Sequence, residues 1–291
     1  AYLVANALGD NRDLAGLTLL GVIGDRQTLA GKNQEIYLEA LGNGVISKKR
    51  GVTLPGRTPE EQVELSAEPF LHGISGSKEK SQNIISASVS GENLQWDIFC
   101  SLIVLHAAEK CKVETMDSFW GDQWILIREV IEHAHNMAFV VDSCGKAGEG
   151  STAVSLCLRS SKLIDKAYET ARAHRLALIQ EMNRFLEQTP GVKTSHIMCS
   201  NQHLVSDLAD IVFGNIQGIS PVIVATEKDD GTCSCSIRTD GKSGKYAGEV
   251  VHQLALEYGG HGGGHQNRAG ATIACEHLEK FTRQVTEVLG S

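Results

Sequence analysis

The hydrophobic positions at the start of the chain follow helical spacing. Apolar side chains are dense from Leu14 to Ile23, and the Gly24-Asp25 pair predicts the end of this helix. Another helix is predicted at Tyr2–Ala5, and a third from an Asn33 cap to Leu41. A helix as apolar as residues 14–23 needs cover on most sides, and its neighbours offer little. We therefore expect the sequence to begin inside a domain whose earlier part is not in this chain.

The middle of the chain is predicted to be mainly helical. Helices are expected at Ile98–His106, at Asp122–Val141 and from about Lys162 to Gln188, the last ended by Pro190-Gly191. Ahead of them lies the basic run Lys48-Lys49-Arg50. Such a run can contact a nucleic-acid backbone, but it is more often a solvated loop.

The last hundred residues alternate between strand-like and helix-like patterns. Asp229-Asp230-Gly231 between two apolar runs is a hairpin signal. Strands are predicted at His196–Cys199, Pro221–Thr226, Thr232–Arg238 and Ala269–Ala274, with helices at Val205–Phe213, at Gly244–Tyr258 and before Leu289. This order predicts a mixed α/β domain, so the chain divides at residues 1–50, 51–190 and 191–291.

The charge balance, the hydropathy and the cysteines of the chain disfavour several classes of protein. With 27 Lys and Arg against 35 Asp and Glu, the formal net charge is −8. A protein that coats nucleic acid is usually basic, so any such contact must come from a local groove. No apolar run approaches the length of a membrane-spanning helix, so no membrane partner is expected. The eight cysteines could pair, but several lie inside apolar runs, which favours reduced, buried thiols.

The segment 259–270 is the most informative for chemistry. It runs from a predicted helix to a predicted strand and lacks a Gly-Lys-Ser/Thr end, so it is neither a P-loop nor a dinucleotide fingerprint. We expect a loop that brings bare backbone N–H groups close to an anion. The residues expected to contact a phosphate there are His261, Gly262, Gly263, Gly264, His265 and Arg268. The alternative is a glycine-rich turn with ordinary surface histidines.

Two further groups of residues are weaker candidates. Ser236 and Arg238 share one face of a predicted strand and could reach the same anion, although a solvated face is as consistent with the pattern. Asp25 follows an apolar helix, where a carboxylate is disfavoured unless a cation lies nearby. A bound divalent ion would supply that charge, but a simple turn residue is the stronger interpretation from the residues alone.

These segments together resemble a known family. Gly263–Gly270 resembles the glycine-rich signature of the DHH-associated domain, and Cys233–Arg238 its Ser-x-Arg strand. Leu20–Asp25 is similar to the last metal-binding motif of the DHH phosphoesterase domain. The order and spacing are most similar to archaeal RecJ-like exonucleases. The resemblance implies an α/β fold in which residues 1–50 end a DHH domain, 51–190 form a helical connector and 191–291 form the associated domain.

The same resemblance implies a phosphoesterase that cleaves single-stranded nucleic acid or short oligonucleotides through two Mn²⁺ or Mg²⁺ ions. Asp25 would be a catalytic metal ligand. His265, with the neighbouring glycines, would bind phosphate, and Arg238 and Arg268 would neutralise its charge. An Asp-His-His triplet is not in this sequence, so an upstream DHH segment is expected to supply the other ligands.

The resemblance also implies a cytoplasmic protein, and it leaves alternatives open. A non-catalytic nucleic-acid-binding or replication-complex subunit would add replication proteins as partners. A tRNA-editing role is disfavoured by Gly24-Asp25.

Overall fold

The computed structural model describes residues 1–107, 111–188 and 196–290. The helices are α1 (Tyr2–Leu8), α2 (Ala15–Gly24), α3 (Lys32–Gly42), α4 (Pro59–Glu64), α5 (Lys78–Ser88), α6 (Trp96–Ala107), α7 (Val113–Asp117), α8 (Ala134–Lys146), α9 (Gly150–Cys157), α10 (Ile164–Gln188), α11 (Val205–Asn215), α12 (Ala247–Glu257) and α13 (Leu278–Leu289). The strands are β1 (Ile46–Val52), β2 (Val89–Ser90), β3 (Asn93–Leu94), β4 (Trp120–Leu126), β5 (Ile197–Met198), β6 (Val222–Glu227), β7 (Thr232–Arg238), β8 (His261–Gly264) and β9 (Arg268–Ala274).

The chain forms two compact units. The first comprises residues 1–66, 71–103 and 117–176, and the second comprises residues 67–70, 104–116 and 177–291. The three-part domain division expected from the sequence stays a prediction, because compactness does not test where a DHH domain ends.

In the first unit, α2, α3 and α8 pack around one apolar core. Leu19, Leu126 and Met137 are fully buried in it. The predicted helix at Leu14–Ile23 is confirmed as α2. The predicted Asn33 cap is wrong, since α3 starts at Lys32, after Gly31 with φ of 54°.

The predicted helix Asp122–Val141 is wrong in its first half. Residues 120–126 form β4, which pairs antiparallel with β1, and helix starts only at Ala134. The basic run Lys48-Lys49-Arg50 therefore lies in a strand rather than in a loop. Leu126 faces Ile46 across this ribbon, and both are buried. Pairing between segments so far apart in sequence overrides the local helical stripe.

The second unit is built on a five-stranded sheet in the order β5-β6-β7-β9-β8. β5 pairs parallel with β6, and the other neighbours are antiparallel. α12 and α13 cover one face, where Val251 and Phe281 are fully buried with Ile237. On the other face, α11 packs against β6 with Leu208 and Val224 buried. The expected mixed α/β fold is confirmed here.

Most predicted elements of the second unit are confirmed. The hairpin turn falls where expected, with Gly231 at φ of 77° between β6 and β7, a backbone conformation that glycine adopts without strain. The predicted helix at Lys162–Gln188 is confirmed as α10, whose residues 164–176 belong to the first unit. Its expected stop at Pro190-Gly191 lies outside the described residues.

The cysteines depart from expectation at one pair. Cys233 and Cys275 form a disulfide with Cα atoms 5.0 Å apart. The register that pairs Thr232 with Ala274 brings them together across 42 residues, which spacing alone does not reveal. The expectation of reduced thiols holds for the other cysteines, among them Cys235, whose pKa is raised to about 12 by burial. Each helix in the described part of the chain is too short or too polar to cross a lipid bilayer.

Candidate phosphate-binding site

The glycine-rich segment forms an edge hairpin rather than the expected loop. His261–Gly264 is β8, which pairs antiparallel with β9, and only residues 265–267 turn between them. The ladder satisfies peptide groups that an open loop would leave to water, which outweighs the low strand propensity of glycine. The expectation of a loop is therefore wrong for residues 261–264.

Helix α12 explains why several of these positions carry glycine. A Cβ atom on Gly262 would lie 3.2 Å from the Cβ of Ala255, and one on Gly248 would overlap the carbonyl of Gly264. The helix therefore lies directly on β8. Gly263 is different, because a Cβ built on it meets nothing within 4 Å. Close packing explains why positions 262 and 248 carry glycine. At Gly263 no neighbour requires glycine, and its backbone faces open space.

Gly263 belongs to a row of small residues that crosses the sheet. It lies opposite Gly270 on β9, which lies opposite Ser236 on β7. Directly opposed residues share a face of an antiparallel sheet, so these three positions form one shallow strip. Its width is about 10 Å, twice the spacing between strands. The sheet therefore brings the predicted site residues Ser236 and Gly263 into one row on the same face.

Two arginines flank the strip at one end. Arg238 and Arg268 are directly opposed on β7 and β9, and both contact Asp210 of α11. Arg238 Nε lies 2.6 Å and Arg268 Nη2 2.9 Å from Asp210 Oδ1. The exposed side-chain fractions are 6% for Arg238, 12% for Asp210 and 45% for Arg268. One largely buried carboxylate is therefore shared by two guanidinium groups, which leaves one positive charge beside the strip.

The two arginines are not equivalent. Arg238 also donates to the backbone oxygen and the hydroxyl of Ser206 and to the carbonyl of Ile237. Its hydrogen-bonding groups are thus occupied inside the protein, so it holds Asp210 in place. Arg268 shares Asp210 from a half-exposed position, so it can offer its outer edge to an anion. The contact predicted between Arg238 and a ligand stays a prediction.

The histidines lie at the two ends of β8. His261 is opposite Thr272 and exposed, two residues from Gly263 and on the same face. The N–H of His265 donates to Arg268 O at 2.7 Å, and its carbonyl accepts from Gly248 N at 3.0 Å. The backbone of His265 is therefore fixed on both sides, while its side chain is exposed. Imidazole and guanidinium groups thus lie at the edges of the strip.

Asp25 lies in the first unit, whereas the other eight predicted residues lie in the second. It is exposed at the end of α2, and its Oδ2 accepts from Gln27 Nε2 at 3.2 Å. Across the described residues, no three His, Cys, Asp or Glu side chains are grouped to hold a metal ion. Two metals therefore do not fit the residues described here, and the role of Asp25 as a ligand is untested.

Sequence reasoning missed Asp210 and Ser206. They lie on α11 four residues apart, so they share one helix face, and that spacing was the only local signal. Their shared partner Arg238 follows 32 residues after Ser206 and 28 after Asp210, and Arg268 follows Asp210 by 58 residues. A cluster of this kind depends on the packing of α11 against β7.

Comparison with known proteins is consistent with this fold. Residues 200–291 match the DHHA1 domain. Over 300 residues the chain is 22% identical to an uncharacterized protein of Methanocaldococcus jannaschii, in an alignment that covers 99% of this chain and 66% of that protein. The chain thus spans about two thirds of this curated relative.

Solved structures share the fold at low identity. RecJ from Thermus thermophilus, solved in complex with Mn²⁺, has a TM-score of 0.50 at 15% identity, covering 96% of this chain and 33% of that chain. CDC45 from Entamoeba histolytica has a TM-score of 0.52 at 10% identity, covering 89% of this chain and 64% of that chain. The resemblance drawn from the sequence is confirmed in the DHHA1 domain and in the fold.

Proposed function

We propose that this chain, a RecJ-like protein of the DHH family that ends in a DHHA1 domain, provides the phosphate-binding lobe of a phosphoesterase or exonuclease. Its substrate would be single-stranded nucleic acid or a short oligonucleotide. The observation that carries the proposal is the bare strip of Ser236, Gly270 and Gly263 beside the surplus charge of Arg268.

The strip suits a phosphate for a simple steric reason. With no side chain at Gly263 or Gly270, an anion can lie against the backbone, and β8 is an edge strand whose alternate N–H groups point away from β9. Ser236 can donate its hydroxyl from one side. Arg268 can donate two parallel N–H groups, a geometry that matches phosphate oxygens. His261 and His265 would add donors at the rim.

Metal-dependent hydrolysis is the part of this proposal furthest from the described residues. One relative of similar fold was solved with Mn²⁺, and divalent ions activate water for attack on phosphodiesters. Since the described side chains do not gather into a metal site, ligands from a DHH segment would be needed, with Asp25 as the one candidate here. Cytoplasmic location belongs to the same proposal.

The binding test uses Gly263→Val with 5′-phosphorylated oligothymidylate as the probe. Valine fits an extended edge strand and open space, so folding is expected to be retained. It fills the strip and should weaken binding about 10- to 100-fold, the loss of one or two charge-assisted hydrogen bonds. Gly145→Val is the matched control, because Gly145 is exposed and equally open but lies in the first unit. Equal affinities for the two variants would contradict the proposal.

The hydrolysis test uses the chain joined to the upstream segment that the resemblance implies. Cleavage of 5′-labelled single strands with Mn²⁺ should be lost in Asp25→Ala while oligonucleotide binding remains. Cleavage that survives this substitution would remove Asp25 from the reaction.

A second candidate is a non-catalytic subunit that binds nucleic acid or assembles with replication proteins. The fold similarity to CDC45 favours it, and a net charge of −8 suits protein partners better than bulk DNA. Intact binding without cleavage, in a protein whose upstream metal ligands are substituted, would support this candidate over the enzyme.

A further inference from the structure

The ribbon of β1 and β4 combines cations with an exposed aromatic ring outside the candidate phosphate site. Trp96 begins α6, and the residue is 45% exposed. Its ring lies edge-on to Phe99 at 5.7 Å between centroids and 6.4 Å from the ring of Trp120 on β4. Phe99 is fully buried. Trp96 is thus anchored on its inner side while part of its indole remains open to a ligand.

The strand register places basic residues next to this aromatic pair. Trp120 is opposite Val52, and the next residue of β1 on the same face is Arg50, followed by Lys48. From Val52 to Lys48 the strand spans about 13 Å. The aromatic rings and the cations therefore lie along one ribbon within the first unit.

The basic residues of β1 are only partly neutralised. Lys48 Nζ lies 2.9 Å and Arg50 Nη1 3.6 Å from the carboxylate of Asp122. Lys49 between them is exposed, but it lies on the other face of β1. On the face of Trp120, Lys48 and Arg50 therefore share one carboxylate, which leaves one positive charge there on a chain whose net charge is −8.

We propose that Trp96, Lys48 and Arg50 form a second contact for single-stranded nucleic acid, in which a base stacks on the indole and phosphates follow β1. Single strands are bound by this combination, because every base has a face that stacks on an aromatic ring and the backbone follows positive charge. The proposal takes only its ligand class from the proposed function, since none of its residues lies in the DHHA1 domain.

The charge pattern decides between a nucleic acid and a protein as the occupant. An apolar protein partner would gain from Trp96 but would have to desolvate Lys48 and Arg50. A single strand uses the indole and both cations, and it releases counterions from the cations.

The test measures the affinity of the full chain for two single-stranded probes of about 20 nucleotides, one with bases and one abasic. Trp96→Leu keeps apolar volume against Phe99 but removes the ring. We expect it to bind the base-containing probe roughly 5- to 100-fold more weakly and the abasic probe unchanged. Leu158→Ala, at a 76% exposed apolar residue of the same unit, is the control and should change neither affinity.

The cations are tested separately, away from the packing of Trp96. Arg50→Glu should weaken binding of both probes and reduce the salt dependence by about one charge, whereas Lys162→Glu, an exposed control in the same unit, should do neither.

The outcomes separate this proposal from the proposed function. If Gly263→Val binds the oligonucleotide more weakly and Trp96→Leu binds it as tightly as the native protein, the second contact alone is overturned. If Trp96→Leu binds it more weakly and Gly263→Val does not, the glycine strip is overturned instead. If Trp96→Leu weakens the affinity for the base-containing probe and for the abasic probe equally, no base stacks on this ring, and the proposal is also overturned.

Discussion

Asp210 in the second unit and Asp122 in the first each hold two cations, yet they differ in surroundings. The Asp210 side chain is 12% exposed and faces Arg238 at 6%, whereas that of Asp122 is 37% exposed and its partners Lys48 and Arg50 are 46% and 65% exposed. Solvent screens the charges around Asp122 and lets those side chains move. The group around Asp210 is held by packing, so it can fix the position of Arg268.

The difference shows that a shared carboxylate has two uses. At Asp210 the arrangement fixes a guanidinium group at the edge of a bare strip before any ligand arrives, which lowers the ordering cost of binding. At Asp122 the lysine and arginine remain adaptable, which suits a sequence-tolerant contact with a flexible strand. Burial, rather than the count of charges, distinguishes the two.

The largest expected effect comes from Asp210→Ala. It leaves the buried guanidinium of Arg238 without its carboxylate, and such a loss costs about 3–5 kcal/mol. The free energy of unfolding, measured by urea titration, should fall by this amount, whereas Asp122→Ala should change it by less than about 1 kcal/mol. Similar losses for both variants would show that burial does not separate the two carboxylates.

The next effect concerns pH and a histidine that packs against the ribbon. His135 lies 5.8 Å from the ring of Trp124, and burial lowers the pKa of His135 to about 4, with a smaller effect from His133. The folded state therefore favours the neutral imidazole, while the unfolded chain takes up a proton near pH 6.5. This stabilisation is complete above pH 6.5 and is lost as the pH falls towards 4, by at most on the order of 3 kcal/mol.

His135→Phe tests this dependence, because phenylalanine does not titrate. The difference in unfolding free energy between pH 7 and pH 4 should be smaller in the variant than in the native sequence. Identical differences would assign the acid sensitivity to carboxylates instead.

The smallest effect distinguishes the two arginines. Arg268→Ala removes a half-exposed partner, so the free energy of unfolding should change by less than about 1 kcal/mol, while binding of the phosphorylated oligonucleotide weakens. Arg238→Ala should be the more destabilising, because it uncovers a carboxylate that is nearly buried. Calorimetric binding and thermal unfolding of both variants check this; a reversed order would exchange their roles.

The sequence was most informative where structure is local. The hairpin of β6 and β7 has its turn signal between its strands, and α10 and α13 are long enough to show their period. The strand β4 was not predicted, because its partners in β1 lie 68 to 80 residues earlier and Trp124, Val130 and Ile131 also fit a helical stripe. Glycine composition indicated a close backbone approach, but not that α12 is the close neighbour of Gly262.

The candidate site was only partly visible for the same reason. Ser236, Gly263 and Arg268 were found from their motifs, and the sheet register brings them together. Asp210 carries no motif, and its importance comes from the docking of α11 against the sheet. Whether Asp25 binds a metal depends on ligands that the described residues do not provide.

The link between Cys233 and Cys275 has one more consequence. Every residue of the strip and both of its histidines lie between these two positions, so the strip and its edges sit within a single covalent ring of about 40 residues, while Asp210 lies outside it. In the chain-entropy view, closing such a ring removes about 4 kcal/mol of freedom from the unfolded polypeptide. Proteolytic nicking of any one bond inside the ring would leave both fragments of the site attached to each other.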